Sequence, residues 1–216
     1  MKITKFGHCC LLIEERELRI LTDPGNLSTA QNTIINIDVV LITHEHADHF
    51  HVPSVLEVLK NNPEAVVITN SAVSKLLEAQ GVTGAFIVEH GQSHQVDQVI
   101  FDGFGKDHAP IYKDWNNVMN TGYFIGSRLF YPGDAFYNPK KENGREVEIL
   151  ALPVAAPWLK ISESIDYALA VSPKIVFPVH DGILASPGLS SAVPGKILPP
   201  QGIAFVPLEL GKETEF

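Results

Sequence analysis

The stretch Ile37-Asp38-Val39-Val40-Leu41-Ile42-Thr43-His44-Glu45-His46-Ala47-Asp48-His49-Phe50 decides the reading of this chain. Val39–Ile42 within it is an unbroken apolar run, the pattern of a strand buried on both faces. That run feeds directly into His-x-His-x-Asp-His, four candidate metal ligands within six residues. Residues two apart in an extended segment point the same way, so His44 and His46 can address one ion. Asp48 and His49 fall on the turn into the next element and can address a second. Imidazole with carboxylate suits Zn²⁺, Mn²⁺ or Fe. The alternative, a polar histidine-rich loop with no ligand role, does not account for this spacing at the end of a buried strand.

Outward from that stretch, short apolar runs alternate with turn signals. Strands are expected at Ile3–Phe6, Cys9–Ile13, Leu18–Leu21, Val39–Ile42 and Ala65–Ile68, with helices over Pro53–Lys60 and Ser71–Gln80. Pro53 suits a first helical turn, Gly81 a helix stop, and Val73, Leu76 and Leu77 share one helical face. Further strands are expected at Val99–Gly105, Gly122–Ile125, Leu129–Tyr131, Val147–Leu152, Ile175–Val179 and Ile203–Val206. A helix capped by Ser162 runs to about Val171, where Pro173 ends it. Two β-rich halves with helices left over suggest two sheets face to face, helices outside.

Composition narrows the function classes. The 216 residues are 45% hydrophobic and 19% charged, enough for a core, and no linker or repeat divides them, so one domain over 1–216 is expected. A net charge of −9 without a basic cluster disfavours nucleic acid. No signal peptide and no run of about 18 apolar residues is present, so no membrane contact and a cytoplasmic location are expected. The neighbours Cys9 and Cys10 read as buried thiols on a strand, since a bridge between adjacent cysteines is strained.

The motif His44-x-His46-x-Asp48-His49 resembles the signature of the metallo-β-lactamase-fold hydrolases. That resemblance implies a four-layer αββα sandwich, an α+β fold of two packed mixed sheets flanked by helices, with a metal site at its rim. It also implies three later ligands, and His108 in Gly-Lys-Asp-His, Asp134 in Tyr-Pro-Gly-Asp and His180 in Phe-Pro-Val-His occupy the matching places. His90 and His94 compete with His108 but lie in a polar stretch and read as solvated surface histidines. Asp23, in Leu-Thr-Asp-Pro-Gly, matches an aspartate that supports the ligands from behind. The opening Phe6-Gly7-His8-Cys9-Cys10, the stretch Leu152–Trp158 and the Pro-x-His-Asp-Gly around His180 look most like the L-ascorbate-6-phosphate lactonase-like branch.

By the same resemblance, His44, His46 and His108 hold one divalent ion, Asp48, His49 and His180 the other, and Asp134 bridges them. Zn²⁺ is the first expectation, with Mn²⁺ or Fe also suited. A bridging water with pKa lowered towards ~7 is then the implied nucleophile, cleaving an ester, lactone or phosphodiester bond. Asp48, His180 and His8 are the candidate catalytic residues, and His8 and Trp158 the candidate substrate contacts. Two aspartates, two divalent ions and one hydroxide leave a local charge of about +1, which favours a small anionic substrate. Two other readings remain: a mononuclear iron oxygenase of the same fold, and a non-catalytic metal-binding protein. The sequence is compatible with a homo-oligomer.

Overall fold

A computed structural model describes residues 1–113, 115 and 118–216. The chain opens with a meander of β1 (Lys2–Gly7), β2 (Cys10–Glu15) and β3 (Leu18–Thr22). It continues through a 3₁₀ turn at Ala30–Thr33 into β4 (Val39–Leu41), α1 (Val52–Asn61), β5 (Val66–Thr69), α2 (Ser71–Glu78) and the short β6 (Phe86–Ile87). Then follow β7 (Ser93–Val96), β8 (Val99–Phe104), β9 (Gly122–Ile125), β10 (Leu129–Tyr131), α3 (Pro139–Asn143), β11 (Ile149–Pro153), α4 (Ile161–Val171) and β12 (Ile175–Val179). Two short helices, α5 (Gly188–Ala192) and α6 (Pro194–Ile197), a 3₁₀ turn at Pro199–Gln201, β13 (Ala204–Phe205) and β14 (Glu213–Glu215) complete it.

Among the described residues the strands form two seven-stranded mixed sheets, ordered β14-β1-β2-β3-β4-β5-β6 and β13-β12-β11-β10-β9-β8-β7. The apolar run at Val39–Ile42 shows why helices must cover them. Val39 and Leu41 face the other sheet, while Val40 and Ile42 face outward onto Val55 and Val58 of α1. A strand apolar on both faces needs cover on both. The second sheet repeats the pattern. Leu129 and Tyr131 point into the sheet interface, whereas Phe130 joins Leu150, Val176 and Ala168 of α4 outside. Three apolar layers therefore separate four structural ones, as the αββα expectation requires.

Strand direction sets where the site lies. β1 and β3 each run antiparallel to β2, so they share a direction, and β4 is parallel to β3. In the second sheet β8 and β10 are both antiparallel to β9, and β11 and β12 run parallel to β10. The loops leaving β1, β3 and β4 thus share one rim, as do those leaving β8, β10, β11 and β12. Ligand sites in such sheets collect at carboxyl ends.

Several expectations need correction. Cys9 lies in the turn between β1 and β2, not on a strand. Leu76 is 41% exposed, because the buried stripe of α2 runs through Val73 and Leu77. The N-cap of α4 is Lys160, not Ser162, and its backbone N–H donates to the Glu163 carboxylate at 2.8 Å. His94 is no free surface histidine: it sits in β7 and stacks on Phe86 at 3.8 Å between ring centroids. His90 is also half-buried, its Nδ1 accepting the Gly105 N–H at 3.2 Å.

The turn after β3 is built for close approach. A Cβ on Gly25 would stand 1.8 Å from the carbonyl oxygen of Asp48. Gly25→Ala must therefore push the ligand loop away, an overpacking cost of about 1–3 kcal/mol. A fall of several degrees in Tm is expected by calorimetry, while Gly188→Ala, whose Cβ would meet open space, leaves Tm within about 1 °C.

Candidate metal centre

Each candidate ligand is carried by the loop leaving a strand. β4 delivers Thr43–His49, β8 delivers His108, β10 delivers Asp134 and β12 delivers His180. The turn after β1 adds His8 and that after β3 adds Asp23. Three of these residues, His8 (φ 39°), Asp23 (φ 36°) and His180 (φ 61°), sit in the left-handed region that L residues adopt at a cost of order 1–3 kcal/mol. Gly133 (φ 63°) makes the Pro-Gly-Asp turn, and a Cβ there would stand 2.4 Å from Asn120 Oδ1. Asn120 locks that turn, accepting the Asp134 N–H at 3.0 Å and donating to Pro132 O at 2.9 Å.

All seven expected ligands come together, although they span residues 44 to 180. Nε2 of His44 lies 3.2 Å from Nδ1 of His46, and Nε2 of His108 lies 3.2 Å from Asp134 Oδ2. On the other side, His49 Nε2 is 3.1 Å from Asp134 Oδ1 and His180 Nε2 is 2.9 Å from Asp134 Oδ2. Donor atoms of His44, His46, His108 and Asp134 all lie within 4.8 Å of one another. A second such group is His8, Cys9, His49 and His180. This differs from the sequence expectation of Asp48 with His49 and His180. Asp48 Oδ2 is nearest His8 Nε2, at 3.2 Å, and lies 3.6 Å from His180 Nε2 and 3.9 Å from His49 Nε2.

The donor set fits cations. His49 Nε2, His180 Nε2 and Asp134 Oδ1 are buried and lack any hydrogen-bond partner; their short contacts are not aligned for hydrogen bonds. Orphan buried polar atoms cost roughly 1–3 kcal/mol each, a cost that a shared cation removes. Ligands bound at ~2.0–2.1 Å in a tetrahedron stand about 3.3 Å apart, close to the separations seen. The opposite ring nitrogens are occupied. His49 Nδ1 faces Asp23 Oδ2 at 2.7 Å, His180 Nδ1 faces Ala155 O at 2.6 Å, His108 Nδ1 faces Ala109 O at 2.5 Å, and His44 Nδ1 faces Thr43 Oγ1 at 3.0 Å. Such outer partners fix tautomers, leaving Nε2 free.

Asp23 is fully buried and is the busiest support. Its carboxylate accepts the Thr43 N–H and hydroxyl, both at 2.8 Å, and the Tyr131 hydroxyl at 2.7 Å, besides facing His49. Burial works against a charged His49, but Asp134 and Asp23 outweigh it and raise its pKa well above the usual value. Burial likewise opposes ionisation of Asp134 and Asp48, yet His49 and His180 hold Asp134, and His8 with His49 holds Asp48, below the carboxylate range. His44 stays neutral through burial and the neighbouring His49.

The two candidate substrate contacts lie differently. His8 is 2% exposed; its Nδ1 accepts the Gly182 N–H at 3.1 Å, so Nε2 carries the proton towards Asp48. Trp158 is half-buried and donates Nε1–H to Asp134 Oδ2 at 3.2 Å, its ring 5.6 Å from His108. Cys9, Tyr131, Asn120 and the buried Lys5–Asp181 pair at 2.6 Å beside His180 escaped the sequence reading. Thr43 next to His44 and Asp181 next to His180 carried the one usable signal, adjacency to a ligand.

Asp23→Asn exchanges a carboxylate for an amide that cannot accept from all its donors. A ten- to hundredfold loss of metal affinity is expected in a chelator competition, with the fold retained by circular dichroism.

The comparisons place the chain in a family and agree with its fold. Residues 2–180 match the family model described as the beta-lactamase superfamily domain. Protein Rv0786c of Mycobacterium tuberculosis is 35% identical over 190 residues, covering 86% of each chain. A UPF0173 metal-dependent hydrolase of Bacillus cereus is 30% identical over 205 residues, covering 83% of this chain and 85% of its own. Among solved structures, Igni18, a metallo hydrolase from the archaeon Ignicoccus hospitalis, superposes with a TM-score of 0.78 at 21% identity, over 100% of this chain and 98% of that one. With its family model spanning the first strands to His180, this chain belongs to the beta-lactamase superfamily.

Proposed function

We propose that this metal-dependent hydrolase holds two divalent cations, Zn²⁺ first and Mn²⁺ or Fe as alternatives, and cleaves an ester, lactone or phosphodiester bond of a small anionic substrate. The observation carrying this reading is the position of Asp134 between the two donor groups. One of its oxygens faces His49, and the other faces His108 and His180. His44, His46 and His108 would hold one cation with Asp134, and His49 and His180, with Asp48, the other. Bound cations would supply a water nucleophile at neutral pH and charge for the developing oxyanion.

The protein's own groups supply the rest. Asp48 is the least buried carboxylate of the centre, with its side chain 29% exposed, and its ionised Oδ2 is placed to take a proton from attacking water. His8 Nε2–H fixes that oxygen, and His8 is held in turn by Gly182 N–H. His8 is therefore a positioning residue in this reading, since it is too buried to meet substrate. Trp158 Nε1–H donates to Asp134 Oδ2 and so helps to hold that carboxylate between the two donor groups. The acidic chain, at −9 overall, turns the reading towards a small molecule and away from nucleic acid. No helix among the described residues is long and apolar enough to cross a membrane, and both cysteines are free, in keeping with a proposed cytoplasmic location.

Three measurements test this. Elemental analysis should give close to two divalent ions per chain, and chelation should abolish turnover of a phosphodiester, lactone and ester panel; a single iron per chain would point to oxygenase chemistry instead. His8→Ala, with metal content intact, should lower kcat by about tenfold or more with KM little changed, and His8→Gln should restore part of it. Unchanged turnover in His8→Ala removes His8 from the mechanism.

A further inference from the structure

Beside the metal centre lies a cleft of about 530 Å³, in the size range of small-ligand pockets. Among the described residues it is lined by His108, a candidate ligand of the centre, and by Ala135, the residue after Asp134, on two different loops. Its walls are His90, Pro110, Phe136 and Tyr137. The aromatic wall is braced by residues outside the cleft: Phe136 packs on Trp158 at 5.5 Å and on Tyr167 at 5.0 Å, and Tyr137 on Phe104 at 5.9 Å between ring centroids. The rim carries Lys106 against Asp107 and Glu142, all exposed, for a net charge of one negative. A second anionic group entering here would meet no excess of cations, whereas a flat uncharged ring would meet the aromatic side chains of Phe136 and Tyr137 and the apolar ring of Pro110.

From this we infer that the cleft is a subsite for an uncharged planar ring, aryl or heteroaryl, joined to the anionic group that reacts at the centre. The inference deepens the hydrolase reading and rests on it for the position of the reacting group. His90 and Lys106 then contribute at the ring's edge, and specificity resides in Phe136, Tyr137 and Pro110. Aromatic faces favour offset or edge contact with such a ring beyond the gain from buried area alone.

The test measures binding of phenyl-, cyclohexyl- and methylphosphonate to the metal-loaded protein by calorimetry. Phenylphosphonate should bind about tenfold more tightly than methylphosphonate and clearly more tightly than cyclohexylphosphonate. Pro110→Trp, which fills the cleft from its exposed rim, and Phe136→Ala, which removes its wall, should each bring the phenyl-to-methyl ratio to within about twofold of unity. Should Phe136→Ala fail to fold, Pro110→Trp carries the test alone. Equal binding of phenyl and methyl, or a preference that survives Pro110→Trp, overturns the subsite. Equal phenyl and cyclohexyl binding overturns the planar ring. If none of the three binds to protein that elemental analysis shows to carry its metal, the subsite falls and the metal centre stands; protein that takes up no metal overturns the metal-centre reading instead. Ring preference without turnover of any aryl ester or phosphodiester leaves the subsite standing and sinks hydrolysis.

Discussion

A single buried carboxylate, that of Asp23, joins the fold to its chemistry. It accepts from Thr43 at the end of β4 and from the Tyr131 hydroxyl at the end of β10, so it ties one sheet to the other at the rim. It also faces Nδ1 of His49 and so leaves that ring's Nε2 directed into the centre. An unpaired charge at such a depth would be costly, and full satisfaction by four partners is what makes it tolerable. Sheet packing and ligand orientation are consequently one constraint rather than two.

Around that point the structure concentrates conformational strain. His8, Asp23 and His180 take left-handed backbone angles at three different turns, and Gly25 and Gly182 permit backbone to approach backbone or side chain more closely than any Cβ allows. Three orphaned polar atoms add to the cost. The apolar layers supply the compensation: the inner faces of both sheets and the two helix-covered outer faces are buried almost throughout. Rigid strands with strained loops at their carboxyl ends make a site whose groups cannot relax away from one another.

Within Ile37–Phe50 the strand, the turn and the closeness of His44 to His46 were legible because they are local, whereas the turn of Asp48 towards His8 was not, because His8 lies 40 residues away. Most central strands were legible too, since Val, Ile and Phe runs specify burial without reference to partners. The strands β6, β7 and β14 were not. Phe86–Ile87, Ser93–Val96 and Glu213–Glu215 carry no clear strand pattern and are strands because a neighbour offers its edge: β5, β8 and β1 respectively. His94 was misread for the same reason, its stacking on Phe86 arising only once β6 and β7 form.

By itself, the amino-acid order determined the alternation of apolar runs, the local His-x-His-x-Asp-His cluster, and a set of distant histidines and aspartates each following a strand. Those are properties of neighbours along the chain. Tertiary structure decided that the loops meet at one rim, because strand direction is set by pairing. It also decided that His8 and Cys9 join the His49 side, that His8 turns to Asp48 rather than outward, and that an aromatic-walled cleft opens beside His108. Each depends on through-space distances between residues far apart in sequence, and those exist only after the two sheets have packed.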